Sequence, residues 1–214
     1  MTTSAPMSGR KAQAARNDEL ILQAARAVFT ADPGAPIAAV AERAGVGISA
    51  LYRRYPSKEA LLQKLCFDGL MVYIAAAEKA LADQGDPWDA FATFMREIVD
   101  ADTHSLTIAL AGTFQPTQEL YEAAVRASDL ATQVHGKAST AGVLRQDVTV
   151  SDVALLFEQL ASVKLGEHER TEQLRHRYLA LLLDSLRRPP AHRPLPGPPP
   201  QDAELRARWT PGSS

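Results

Sequence analysis

Between Gly47 and Lys58 the sequence sets Ile48, Ser49, Ala50, Tyr52, Arg53 and Arg54 in one short run. Such a mixture suits a nucleic acid. Cations meet phosphates, hydroxyls and guanidinium groups meet base edges, and small residues allow close approach. A pair of solvated surface arginines is the plainer alternative for Arg53 and Arg54. The charge distribution favours the former. Residues 1–60 hold eight Lys/Arg and five Asp/Glu, a net +3, whereas the other 154 residues hold fifteen against twenty, a net −5. A basic head on an acidic body describes a polyanion-binding module tethered to something else.

Other chemistries find little support. The chain has no Gly-rich phosphate loop, no nucleophile elbow and no cysteine pair, so no catalytic residue and no cofactor are expected. The single Cys66 excludes an internal disulfide framework and fits a reducing compartment. His168, Glu172 and His176 recur every four residues, as metal ligands on a helix would. Thr171, however, is the expected cap of the last helix, which leaves His168 outside it and the set without convergence; no metal is expected. No uninterrupted apolar run approaches membrane-spanning length, and Met1 to Arg16 lacks the apolar segment of a secretory signal. The expectation is a cytoplasmic, nucleoid-associated protein with no membrane partner.

Positioning the basic run requires helices, and the sequence supplies their signals. Hydrophobic residues are 46% of the chain and charged ones 22%, enough apolar mass for a true core. Leu20, Ile21, Ala24, Ala25, Val28 and Phe29 recur at helical spacing until Asp32-Pro33-Gly34. Pro36 opens a second helix that Gly45 ends, and a third runs from Ile48 to Tyr55, stopped by Pro56. Val40, Ala44, Val46 and Leu51 are spaced to pack these helices together, with Ala41 small at the close approach. Two short helices joined by a glycine turn have helix-turn-helix dimensions. Ser57 is a cap for a long helix over 57–83, and Asp86-Pro87, Pro116 and Thr149 open three more. No segment alternates with period two, so the expected class is all-α, with about nine helices.

The run Ala-Glu-Arg-Ala-Gly-Val-Gly-Ile-Ser-Ala-Leu-Tyr-Arg-Arg-Tyr-Pro-Ser-Lys-Glu-Ala-Leu-Leu, residues 41–62, resembles the DNA-binding signature of the TetR family. The resemblance covers about residues 17–70 and implies roles for single residues. Tyr52 would reach a phosphate or base edge, and Arg54 and Lys58 would contact phosphates. Ile48, Ser49 and Arg53 would face bases, Arg53 bridging O6 and N7 of guanine and Ile48 touching a thymine methyl. Gly47 and Ala50 belong to the same DNA-binding set; Leu51 and Tyr55 are expected in the core. Pro36 stands where the family often has Thr or Ser, and Ala38 where a longer polar side chain is frequent, which leaves more of the contact to the third helix.

The implied organisation is a flexible basic arm (1–16), a helix-turn-helix head (17–56), a linking helix (57–83), an effector-binding and dimerisation domain (84–187) and a Pro-rich disordered tail (188–214). An apolar effector pocket is expected from Trp88, Phe91, Phe94, Met95, Ile98, Phe114, Tyr121 and Phe157, with His104, Glu97 and Glu158 as orienting groups. Leu156, Leu160, Tyr178, Leu181 and Leu182 are expected to form an isologous homodimer interface, matching a palindromic site in double-stranded operator DNA. The functional expectation is a repressor released by a small apolar ligand. The alternative is a helical protein-interaction module with a vestigial helix-turn-helix.

Overall fold

Ten helices follow one another in the computed structural model, which describes residues 9–188 and 193–207. They are α1 (Gly9–Ala31), α2 (Ile37–Ala44), α3 (Ile48–Arg54), α4 (Lys58–Ala82), α5 (Pro87–Asp100), α6 (Thr103–Leu110), α7 (Gln118–Thr140), α8 (Val150–Ser162), α9 (His168–Leu186) and α10 (Asp202–Ala207). The one β-type contact among the described residues is an isolated bridge between Leu144 and Arg187.

Several boundaries follow from capping chemistry visible in the sequence. Ser57 accepts from the Ala60 N–H, Asp86 from those of Trp88 and Asp89, and Thr117 from that of Leu120. Thr149 and Asp152 form a reciprocal capping box, so the first orphan N–H groups of α8 are satisfied. Gly45 ends α2 in the left-handed region (φ 65°), where a Cβ would be strained. Pro36 sits one residue before α2, as its N-cap, and contributes no side-chain cap.

Two large apolar cores lie along α4, with a small cluster of Ile74, Ala123 and Ala127 besides. The first gathers Ile21, Ala25 and Phe29 of α1, Val40 of α2, Leu51 of α3 and Leu61 and Leu65 of α4. Leu106 and Leu110 of α6, Phe114 and Leu120 join this same core, so the head and the helical body share buried side chains. The second gathers Trp88, Phe91, Phe94, Met95 and Ile98 of α5 with Phe157 and Leu160 of α8 and Leu179 and Leu183 of α9. By length and composition α4 could cross a membrane, unlike the expectation from run length. Its buried residues instead contribute to both cores.

The structure departs from expectation at both ends. Helix α1 starts at Gly9, so the second half of the expected arm is helical; residues 1–8 lie outside the described part. The Ala-rich run after Gly9 carries no breaker to delay the helix. In the tail, residues 193–195 dock on the α7–α8 loop. The Leu195 N–H reaches Asp147 Oδ2 at 3.0 Å and Arg145 donates to the Arg193 carbonyl at 3.2 Å. A tenth helix, α10, then forms where a structureless tail was expected; residues 189–192 and 208–214 lie outside the described part. Finally, α9 begins at His168, not after Thr171. Thr171 is buried and donates instead to the Leu165 carbonyl at 3.1 Å.

Candidate nucleic-acid interface and regulatory core

Helix α3 buries Leu51 completely, and Tyr55 just beyond it is also buried. Rotating from those anchors along a helix puts Ile48, Ser49, Tyr52 and Arg53 on the outer side, and all four are exposed, as is Gly47. Ala50 is half-buried against the head. A convex ridge with one guanidinium, one phenol, one hydroxyl and one branched apolar group results.

The other two cations face elsewhere. Arg54 pairs in bidentate fashion with Asp18 of α1, at 2.8 and 2.9 Å, and Tyr55 donates to the same carboxylate at 2.7 Å. Arg54 holds the Asp18 carboxyl below the usual carboxylate range. Lys58 turns inward: its Nζ donates to the carbonyls of Pro33 (2.7 Å) and Ala35 (2.8 Å) and lies 5.0 Å from the Phe29 ring centre. Its ammonium thereby closes the α1–α2 turn. Both cations thus have partners within the head that the sequence did not indicate: Arg54 pairs with Asp18, and Lys58 has two of its three donors engaged internally. Asp18 was missed in the sequence because a carboxylate on α1 has no spacing relation to α3.

In the regulatory body the expected pocket residues divide. Trp88, Phe91, Phe94, Met95, Ile98 and Phe157 come together, but as closed packing. Phe94 meets Phe157 edge-on at 6.2 Å and Tyr73 edge-on at 5.4 Å. Arg187 lies over the Trp88 ring. Phe114 belongs to the head core instead, and Tyr121 is 58% exposed on α7, so neither joins this set. Glu97 pairs with Lys79 away from the aromatic cluster.

His104 does reach the aromatic group. Its ring stacks on Phe157 at 4.8 Å, and burial drives its pKa down to about 4, against the weaker upward pull of Glu158 and Asp102. Beside it lies a void of about 10 Å³, lined by the polar Asp102, His104 and Arg175 and by the apolar Ile98, Val99, Phe157 and Leu160. That is room for one water molecule.

Arg175 was not anticipated as a buried cation. Its Nη1 lies 2.7 Å from Asp102 Oδ1, Nη2 donates to the Ala161 carbonyl (2.9 Å) and to Ser105 Oγ (3.2 Å), and Nε to the Val163 carbonyl (3.2 Å). The guanidinium thus caps the C-terminal end of α8, where the helix dipole favours a cation. The available signal was Arg175 falling in register with Thr171 and Leu179 on the buried side of α9.

The family profile described as bacterial regulatory proteins, tetR family, matches residues 21–65. A second, described as transcriptional regulator SbtR-like, C-terminal domain, matches residues 86–188. The chain belongs to the TetR family. Among solved structures it is similar to a TetR regulator from Mycobacterium vanbaalenii, 28% identical with a TM-score of 0.55, covering 83% of this chain and 99% of that one. A TetR transcriptional regulator from Streptomyces coelicolor is 25% identical with a TM-score of 0.56, covering 81% and 99%. The TetR-like regulator LfrR from Mycobacterium smegmatis, in complex with proflavine, shares the fold at 21% identity and a TM-score of 0.55, over 77% and 94%. No curated protein matches.

TetR regulators carry a DNA-binding head on a helical body, and the residues assigned to a dimer face in this member fall into two groups. Leu160 is only 2% exposed and packs in the chain's own core, and Leu156 and Leu182 are part-buried against it. Tyr178 and Leu181 are 46% and 56% exposed. They stand three residues apart on α9, exposed, where an apolar side chain gains little from its own fold. The metal-like triad separates too: His168 contacts Glu172 at 3.1 Å, whereas His176 turns to Asp100 at 3.0 Å.

Proposed function

We propose that this TetR-family chain is a repressor that binds a palindromic operator as a homodimer and leaves it when a small molecule occupies the body. The carrying observation is the outward set Ile48, Ser49, Tyr52 and Arg53 on a helix whose other side is locked into the head core. A vestigial helix-turn-helix would not need Asp18, Arg54 and Tyr55 to hold that helix at a fixed angle. Arg53 reads a guanine, Ile48 a thymine methyl, and Tyr52 a phosphate or base edge. Lys58 shapes the α1–α2 turn beside the phosphates, and Arg54 sets the pose of α3.

Dimerisation pairs the exposed face of α9, Tyr178 and Leu181, with the same face of a second copy. A two-fold axis then sets the recognition helices about 34–36 Å apart, matching half-sites one DNA turn apart. Ligand release follows from the shared core: α6 places Leu106 and Leu110 in the head and His104 against Phe157 in the body. Binding-site selection from random duplexes, followed by salt-titrated affinity on the selected site, tests this reading. A palindrome with a specificity ratio well above nonspecific DNA is expected; binding indifferent to sequence would reject it.

A further inference from the structure

We propose that the void beside Arg175 is the polar end of the effector site, and that its ligand is an apolar monocarboxylate which displaces Asp102 from Arg175. The inference rests on the ligand-released reading above and names the ligand class.

The argument begins with an asymmetry inside one ion pair. The side chain of Arg175 is 8% exposed and that of Asp102 is 32% exposed. Asp102 can therefore swing to water with its charge solvated, whereas Arg175 cannot. Three of the groups around Arg175 are neutral: Ser105 Oγ and the carbonyls of Ala161 and Val163. The carboxylate paired with it is that of Asp102. A neutral ligand that pushed Asp102 aside would strand a buried cation, which is strongly unfavourable. A carboxylate replaces like with like, and the planar fork of the guanidinium matches it in bidentate geometry.

The rest of the lining fixes the ligand's body and charge. Ile98, Val99, Phe157 and Leu160 also line the void, so the body is apolar. His104 stays neutral in this burial and adds no second cation, so a single negative charge is matched. The void of about 10 Å³ admits only a water, so departure of Asp102 and a shift of His104 off Phe157 must supply the space.

Displacement has a path to the head. Asp102 is the non-glycine residue held at positive φ (47°) among the described residues, and Arg175 and the Ser105 hydroxyl both grip its carboxylate. The main chain of the same turn receives Arg26 of α1, which donates to the Ala101 and Asp102 carbonyls at 3.5 and 3.4 Å. Once its carboxylate is released, the strained turn relaxes, the Arg26 contacts go, and α6 moves beneath α1. The ligand's differential affinity for that relaxed state is what lowers operator affinity.

The test uses the full-length protein and straight-chain carboxylates from hexanoate to dodecanoate together with 4-phenylbutyrate, each paired with its primary amide. Binding is followed by thermal shift and by release of the selected operator. At least one acid is expected to bind tenfold or more tighter than its amide and to release the operator. Asp102→Asn removes the competing charge and should tighten acid binding about tenfold; Asp102→Gly, which suits the positive φ, should do the same if the Asn variant folds poorly. Arg175→Met should abolish the preference for acid over amide. Equal binding of acids and amides, or acid affinity unchanged in both Asp102 variants, overturns the proposal. If no acid binds but a neutral compound releases the operator, the carboxylate proposal falls and the ligand-responsive reading stands. If none of a broad set of anionic and neutral compounds releases it, both fall.

Discussion

Arg53 extends into solvent from the ridge of α3, whereas Lys58, five residues on, folds its ammonium back onto two carbonyls. The two basic residues therefore fail differently when removed. Arg53→Ala should leave the melting temperature unchanged and weaken operator binding by about 1–3 kcal/mol, with relaxed preference at one base pair. Lys58→Met should first lower stability, by about 1–3 kcal/mol, because two charge-assisted bonds to carbonyls of the α1–α2 turn are lost. Thermal melts and operator titrations on both variants separate the roles. An Arg53→Ala protein that melts early, or a Lys58→Met protein that melts normally yet binds DNA poorly, would reverse the assignment. The residue types at both positions were legible in the sequence. Which way each side chain turns was not, because that depends on carbonyls and carboxylates brought in from α1 and its turn.

Element by element, boundaries set by local chemistry were readable and those set by tertiary contacts were not. Ser57, Asp86 and Thr149 announce the starts of α4, α5 and α8 because a cap acts within three residues of itself. The start of α9 was misplaced since Thr171, a good cap by type, is buried and bonded to Leu165 instead. The same limit hid the closed packing of α5 against α8: an aromatic stripe predicts burial, not whether a cavity remains between two such stripes. It also hid the tie between α1 and α3. Arg54 depresses the Asp18 carboxyl, so this pair stabilises the head above the ordinary carboxylate value of 3.8 and loses that contribution as pH falls through the lower folded-state value. Asp18→Asn should therefore destabilise at neutral pH, by at most about 1 kcal/mol given the exposure of Arg54. The gap from the native protein should narrow as the pH falls below 3.8 and the carboxyl of the native protein is protonated. Urea unfolding at a series of pH values checks this; a gap that widened in acid would contradict the pairing.

At the scale of the whole molecule, the proposed operator binding, dimerisation and ligand release form one linked equilibrium. Leu160 cannot test the interface, because an arginine there would break the chain's own core before it met a partner. Tyr178 and Leu181 can, being exposed in the single chain. Tyr178→Glu combined with Leu181→Arg should give a folded monomer of 23.1 kDa by light scattering. That monomer should lose most of its affinity for a palindrome while keeping weak half-site binding. A double variant that remained dimeric would place the interface elsewhere. The coupling to ligand is constrained more tightly still. For a hundredfold loss of operator affinity the ligand must favour the DNA-incompetent state by about 2.7 kcal/mol, and operator DNA must weaken the ligand by the same factor. The shared core gives that coupling its route, since α6 contributes Leu106 and Leu110 to the head and His104 and Ser105 to the body. Cutting the route should reduce the factor without abolishing either binding event. Arg26→Met removes the cation that holds the Ala101–Asp102 turn to α1 and substitutes no side chain of α3 or of the Asp102–Arg175 pair. Ligand affinity measured with and without saturating operator should differ a hundredfold in the native protein and by less than about tenfold in Arg26→Met. An undiminished factor in that variant would mean that the signal reaches the recognition helices along α4 rather than through the α5–α6 turn.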